Sequence, residues 1–92
     1  MPLIRGRIVG YDVNRMTFEF TMMTADATIV VCQISSAAMD HLAGRKGTRP
    51  TEREAQFIRL RDAIERIASD NFDDESVDYD PVVQIFAKHI RQ

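Results

Sequence analysis

Residues 16–23, Met16-Thr17-Phe18-Glu19-Phe20-Thr21-Met22-Met23, alternate apolar and polar side chains with a period of two. A strand with one buried and one wet face requires this, because successive side chains leave it on opposite sides. Met16, Phe18, Phe20 and Met22 are expected in a core and Thr17, Glu19 and Thr21 in water. One strand cannot bury its apolar face alone, so its neighbours must supply a sheet. Across the turn-like Thr24-Ala25-Asp26-Ala27, the β-branched run Ile29-Val30-Val31 and the following Cys32-Gln33-Ile34 read as a second strand over about residues 28–34, apolar enough to be buried on both faces. Upstream, about residues 4–11 look extended around Ile8 and Val9, with Gly6 and Gly10 weakening the strand or marking a bulge. The polar Asp12-Val13-Asn14-Arg15 turn completes a three-strand meander.

The period changes at Ser35-Ser36, where either hydroxyl can cap a helix by accepting from a free amide of its first turn. A short helix over about residues 36–43 follows, with Ala38, Met39 and Leu42 on one face and Gly44 placed to end it left-handed. Arg45-Lys46-Gly47-Thr48-Arg49-Pro50 is a basic connector. Thr51-Glu52-Arg53-Glu54 has the spacing of a capping box and opens a long helix over about residues 52–70. Phe57, Leu60, Ile64 and Ile67 form its apolar stripe, joined by Ile58 and Ala68, and this stripe is expected to cover the sheet. Asp62 and Arg66 have the i, i+4 spacing of a helical ion pair. Residues 70–80 are acidic and read as a solvated loop, and the segment from Pro81 to Ile90 reads either as a helix started by Pro81 or as a fourth strand, with Val82, Val83, Ile85 and Phe86 favouring the strand, over about residues 82–88. The fold expected is therefore α+β, one domain over residues 1–92, with a three- to four-stranded antiparallel sheet (meander) packed against one short and one long helix.

Composition narrows the function classes. None of the 92 residues lies in an apolar run near the roughly 18 that a membrane span needs. The N-terminal Met1-Pro2-Leu3-Ile4-Arg5-Gly6-Arg7 lacks the apolar stretch of a secretory signal, so a cytoplasmic location is expected. Cys32 is the single cysteine and suits a buried thiol in a reducing compartment. A net charge of −2 gives no global attraction to nucleic acid or to an anionic membrane.

No catalytic, metal-binding or cofactor-binding pattern stands out, so the protein is not expected to be an enzyme. Asp40 and His41 are adjacent on a helix and diverge too far to orient each other, which leaves both on a solvated surface. A dyad of Cys32 with His41 or His89 would need a depressed thiol pKa. The acidic run lacks the glycine and glutamate of a calcium loop. Gly44-Arg45-Lys46-Gly47 lacks the flanking pattern of a phosphate loop. The basic residues Arg45, Lys46, Arg49 and Arg53 do cluster at a helix start, where side chains and free amides can hold an anion. Interleaved acids and the absence of an aromatic for base stacking weigh against nucleic acid there.

Three stretches carry a family resemblance: Tyr11-Asp12-x-x-Arg15-x-x-Phe18, Cys32-x-Ile34-Ser35-x-x-Ala38-Met39-x-x-Leu42, and Phe57-x-x-x-Arg61-x-x-Ile64-x-x-Ile67-Ala68. Together they resemble the short bacterial proteins of domain of unknown function family 1488. That resemblance implies a compact α+β fold in a bacterial cytoplasmic protein, with a strand after the long helix, and carries no established activity or site residue. The function expected from the residues is a non-enzymatic interaction or structural module, self-associating as a homodimer or binding another protein. The alternative is an anion-binding site at Arg45, Lys46, Arg49 and Arg53.

Overall fold

A computed structural model describes residues 3–44, 47–74 and 82–86. Strands β1 (Ile4–Asp12), β2 (Thr17–Met23) and β3 (Ile29–Ser35) form the antiparallel meander. Helix α1 (Ser36–Ala43) follows directly, then a single 3-10 turn, Pro50–Glu52, runs into helix α2 (Arg53–Asp74). Strand β4 (Val82–Ile85) closes the sheet in the order β1-β2-β3-β4.

The fourth strand is present, and it pairs with β3 in parallel, so the sheet is mixed rather than wholly antiparallel. Chain geometry accounts for this. The 22 residues of α2 span about 33 Å at 1.5 Å per residue, enough to return the chain along the whole sheet before β4 begins. The expected strand residues 87 and 88 lie outside the described residues, as do residues 75–81.

Both helices sit on one face. Phe18, Phe20 and Met22 of β2 and Val30, Cys32 and Ile34 of β3 point into the core with Ala38, Met39, Phe57, Ile64 and Ala68 from the helices. Phe57 is central, stacked on Phe18 with ring centroids 4.6 Å apart and tilted against Phe20 at 4.9 Å. Leu60, Ile67 and Phe72 extend the α2 stripe as half-buried flanks.

Several local expectations shift. Met16 is 60% exposed and has a left-handed φ of 54°. It belongs to the turn, in which the Asp12 carboxylate accepts from the amides of Asn14 and Arg15. The β3 strand alternates, with Ile29 exposed and Val31 half-buried, because no described helix covers its second side. Slips of register on either side of Ile8 place bulges in β1. Ser35 caps α1 by accepting from the amide of Ala38 at 3.1 Å, and Gly44 closes it at φ 69°. The capping glutamate is Glu52 rather than Glu54: it accepts from the amide of Arg49 ahead of the 3-10 turn, and α2 itself starts at Arg53, one residue after the expected start. It also runs on to Asp74, because Phe72 continues the Ile64, Ala68 spacing, so residues 70–74 are helix and not loop. Ile58 is exposed, not core.

Candidate functional site

The chemistry-bearing side chains gather where α1, the connector and the start of α2 meet. Arg53 occupies the first position of the buried α2 stripe, one turn before Phe57, so its side chain points inward and is only 5% exposed. Asp40 of α1 meets it from the facing helix. One carboxylate oxygen, Oδ1, accepts from Arg53 Nη1 at 2.8 Å, from Thr48 Oγ1 at 2.8 Å and from Gln56 Nε2 at 3.1 Å. Arg53 Nη1 also donates to Gln56 Oε1 at 2.7 Å, and Gln56 Nε2 to Thr48 Oγ1 at 3.3 Å. The guanidinium lies 5.6 Å over the ring of Tyr11, while its Nε is buried without a partner among the described residues.

Tyr11 extends the network to the sheet. Its hydroxyl sits 2.7 Å from Ser36 Oγ, and Ser36 Oγ donates to the carbonyl of Met16 at 2.9 Å. A hydroxyl has one proton, so the proton between Tyr11 and Ser36 comes from Tyr11. The cluster thus ties β1, the β1–β2 turn, α1 and α2 together.

Burial pushes the Asp40 carboxyl up, yet hydrogen bonds from Arg53, Gln56 and Thr48 together with the Arg53 charge outweigh it and hold its pKa below the ordinary value. With Oδ1 accepting three times and Oδ2 taken by Arg53 Nη2 at 3.4 Å, the carboxylate is suited to hold Arg53 and ill suited to take a proton from a substrate.

A second group clips β1 to the middle of α2. Arg5 donates to both oxygens of Glu65 and to Asp62, and Arg61 donates to Glu65 Oε2 at 3.1 Å and to the Gly6 carbonyl at 3.3 Å. Asp62 is therefore engaged by the sheet rather than by Arg66.

Of the residues singled out from sequence, the structure brings Asp40 and Arg53 together. Of the four expected anion ligands, Arg45 and Lys46 lie outside the described residues, Arg49 is exposed, and Arg53 is turned away from solvent with its charge held by Asp40. Asp40 is not on a solvated face, whereas its neighbour His41 is exposed. Cys32 is fully buried, and desolvation, with the Glu65 charge adding to it, pushes its thiol up to about 12, opposite to what a nucleophile needs. No group of three or more His, Cys, Asp and Glu suited to a metal occurs among the described residues. The cluster members that sequence did not bring together, Tyr11, Ser36, Thr48 and Gln56, had one visible signal: Arg53 and Gln56 stand on the same helical stripe as Phe57, Leu60 and Ile64.

The opposite sheet face carries Thr17, Glu19, Thr21 and Met23 of β2 and Ile29, Val31, Gln33 and Ser35 of β3. A ladder of side chains crosses it: Gln33 Nε2 donates to Glu19 Oε1 at 3.1 Å, and Gln84 Nε2 to Gln33 Oε1 at 3.3 Å. At one end the cross-strand partners Ile4, Met23 and Ile29 form an apolar row, Ile4 49% and Ile29 60% exposed.

These features define a two-layer α+β domain: a mixed four-stranded sheet with both helices on one face, joined by a buried ion pair. The chain belongs to the family described as Protein of unknown function (DUF1488), whose model matches residues 6–84. The match reaches beyond the residues that carried the resemblance. A solved structure of a protein of unknown function from the same family, from Shewanella loihica PV-4, has the same fold, with a TM-score of 0.75 at 23% identity over 90% of each chain. No curated protein matches the sequence. No helix among the described residues is long and apolar enough to cross a membrane.

Proposed function

We propose that this domain is a non-enzymatic interaction module, working in the bacterial cytoplasm by presenting a surface to another protein chain. The observation that supports this reading is how the side chains are divided. On the helix side the groups that face the interior are engaged: Asp40 by three donors, Arg53 by Asp40 and Gln56, Glu65 by two arginines, Cys32 by burial. On the other side the sheet offers a contiguous apolar row to its surroundings. The lone free thiol and the Shewanella relative are consistent with a reducing bacterial compartment.

Cross-linking in living bacteria tests it. The wild-type chain is expected to give discrete cross-linked species, homotypic or heterotypic, and to turn over no substrate in a broad hydrolase and transferase screen. A chain that cross-links to nothing at native abundance, or one with a reproducible activity lost in Asp40→Asn, would overturn the reading.

A further inference from the structure

We propose that a second copy of this chain covers the helix-free face, related to the first by a two-fold axis running along the strands between β2 and β3. The inference rests on the interaction-module reading and names its partner. Three observations point to this occupant. The first is self-complementarity. A two-fold along the strands lays β2 of one copy over β3 of the other, so Met23 meets Ile29, Thr21 meets Val31 and Glu19 meets Gln33. Met23 and Ile29 of one copy lie on Ile29 and Met23 of the other, and Glu19, the one charge that β2 and β3 place on this face, meets an amide able to donate to it, with no like charges of these strands opposed. A two-fold across the strands at the level of Phe20 and Cys32 would set Met23 over Thr17 and Ile29 over Ser35 and lose that match.

The second observation concerns the alternative route, strand addition at the β1 edge. That edge is a poor template: its ladder slips at two places, the Gly6 carbonyl is taken by Arg61, and the Arg7 amide donates to Thr21 Oγ1 at 2.9 Å. The other edge, β4, is four residues long, and so short an edge strand is a poor template too, which leaves face packing. Aligned sheets stack with strand directions within about 30° of each other, as a two-fold along the strands provides.

The third is extent. Four strands about 4.8 Å apart and about seven residues long give a footprint on the order of 450 Å² per copy. Standard stable interfaces bury about 800 Å² per partner, so the dimer belongs to the weak, concentration-dependent class.

Sedimentation velocity of the purified chain from about 5 to about 500 µM, a range suited to a small interface, is the test. A reversible monomer–dimer equilibrium is expected. Ile29→Lys should raise the dissociation constant about tenfold or more, and Ile58→Lys, exposed on α2, should leave it unchanged. In a mixture of Met23→Cys and Ile29→Cys chains, mild oxidation should favour the mixed disulfide over either homodimer, and this readout does not depend on the lysine variant being well behaved. A chain that stays monomeric throughout, a dimer indifferent to Ile29→Lys, or cysteines that do not pair across the mixture would overturn the inference. Monomers that still cross-link to another protein in cells would overturn it while leaving the interaction-module reading in place.

Discussion

Replacing Asp40 by alanine isolates what the buried cluster contributes. The Arg53 side chain is 5% exposed and Asp40 17%, so the pair is screened far less than one at the surface. Removing only the acid leaves a guanidinium buried among Gln56 and the Tyr11 ring, with Nε already lacking a partner. Breaking a buried pair in this way costs about 3–5 kcal/mol. At about 0.05–0.15 kcal/mol per residue the whole domain holds about 5–14 kcal/mol, so Asp40→Ala removes about a fifth of it at the least and most of it at the other end of the range. At about 4–8 °C per kcal/mol, the melting temperature falls by at least about 12 °C. Urea unfolding followed by circular dichroism measures the loss, and the cycle with Arg53→Met separates pairing from burial. Arg53→Met alone should cost less, about 1–3 kcal/mol, because Thr48 and Gln56 still serve the carboxylate. Asp40→Leu with Arg53→Met should return close to wild type, since a buried pair replaced by apolar groups of like volume is often neutral. An Asp40→Ala loss below about 1 kcal/mol, the range of exposed ion pairs, would refute the argument.

Acid should weaken the fold through the same carboxylate. Its folded pKa is lowered, so its contribution is complete above the ordinary value of 3.8 and disappears as pH falls through the lower folded value; Asp40→Asn should flatten that limb of the stability–pH curve. Gly6→Ala should destabilise by about 1–3 kcal/mol, because a Cβ there would meet the Thr21 carbonyl oxygen at 2.5 Å, and a denaturation midpoint within error of wild type would refute it. Cys32 should resist a thiol reagent at pH 8 in the native protein and react at once in urea, since it is fully buried and burial pushes its thiol up to about 12; native labelling at the rate of the unfolded chain would contradict its burial.

The elements legible in sequence are those whose signal is local. Alternation across Phe18, Phe20 and Met22 marks β2, and Gly44 marks the end of α1, because side-chain period and left-handed backbone are properties of neighbouring residues. What failed depends on distant partners. Met16 fits the β2 alternation, yet the turn takes it, and nothing local separates the two. Residues 70–74 look like loop by composition, but Phe72 packs on the core two turns beyond Ile64 and carries the helix with it. Arg53 reads as part of a basic cluster until Asp40, thirteen residues earlier, is brought against it by the turn of the chain through Thr48. For the same reason the direction of β4 is set by the length of α2 and not by any residue within β4.

The two faces of the sheet then impose different requirements on the same strands. An antiparallel sheet with one face in water ordinarily alternates apolar inward and polar outward. The helix side obeys this rule and concentrates the buried charge, with Arg53 and Asp40 fixing α1 to α2 and Glu65 drawing β1 onto α2. The outer side departs from it toward one end, where Ile4, Met23 and Ile29 stand side by side with Val31 next along β3, while Thr17 and Ser35 at the other end conform. Solvent alone would favour threonine or lysine at Ile29, which is 60% exposed and adds nothing to the core. Scattered exposed apolar residues need no explanation, but a row in cross-strand register does, because it forms one patch able to meet another. The departure from alternation lies away from the buried cluster, so stability and recognition are carried by opposite faces, and a substitution at Ile29 can alter association without disturbing Asp40 and Arg53.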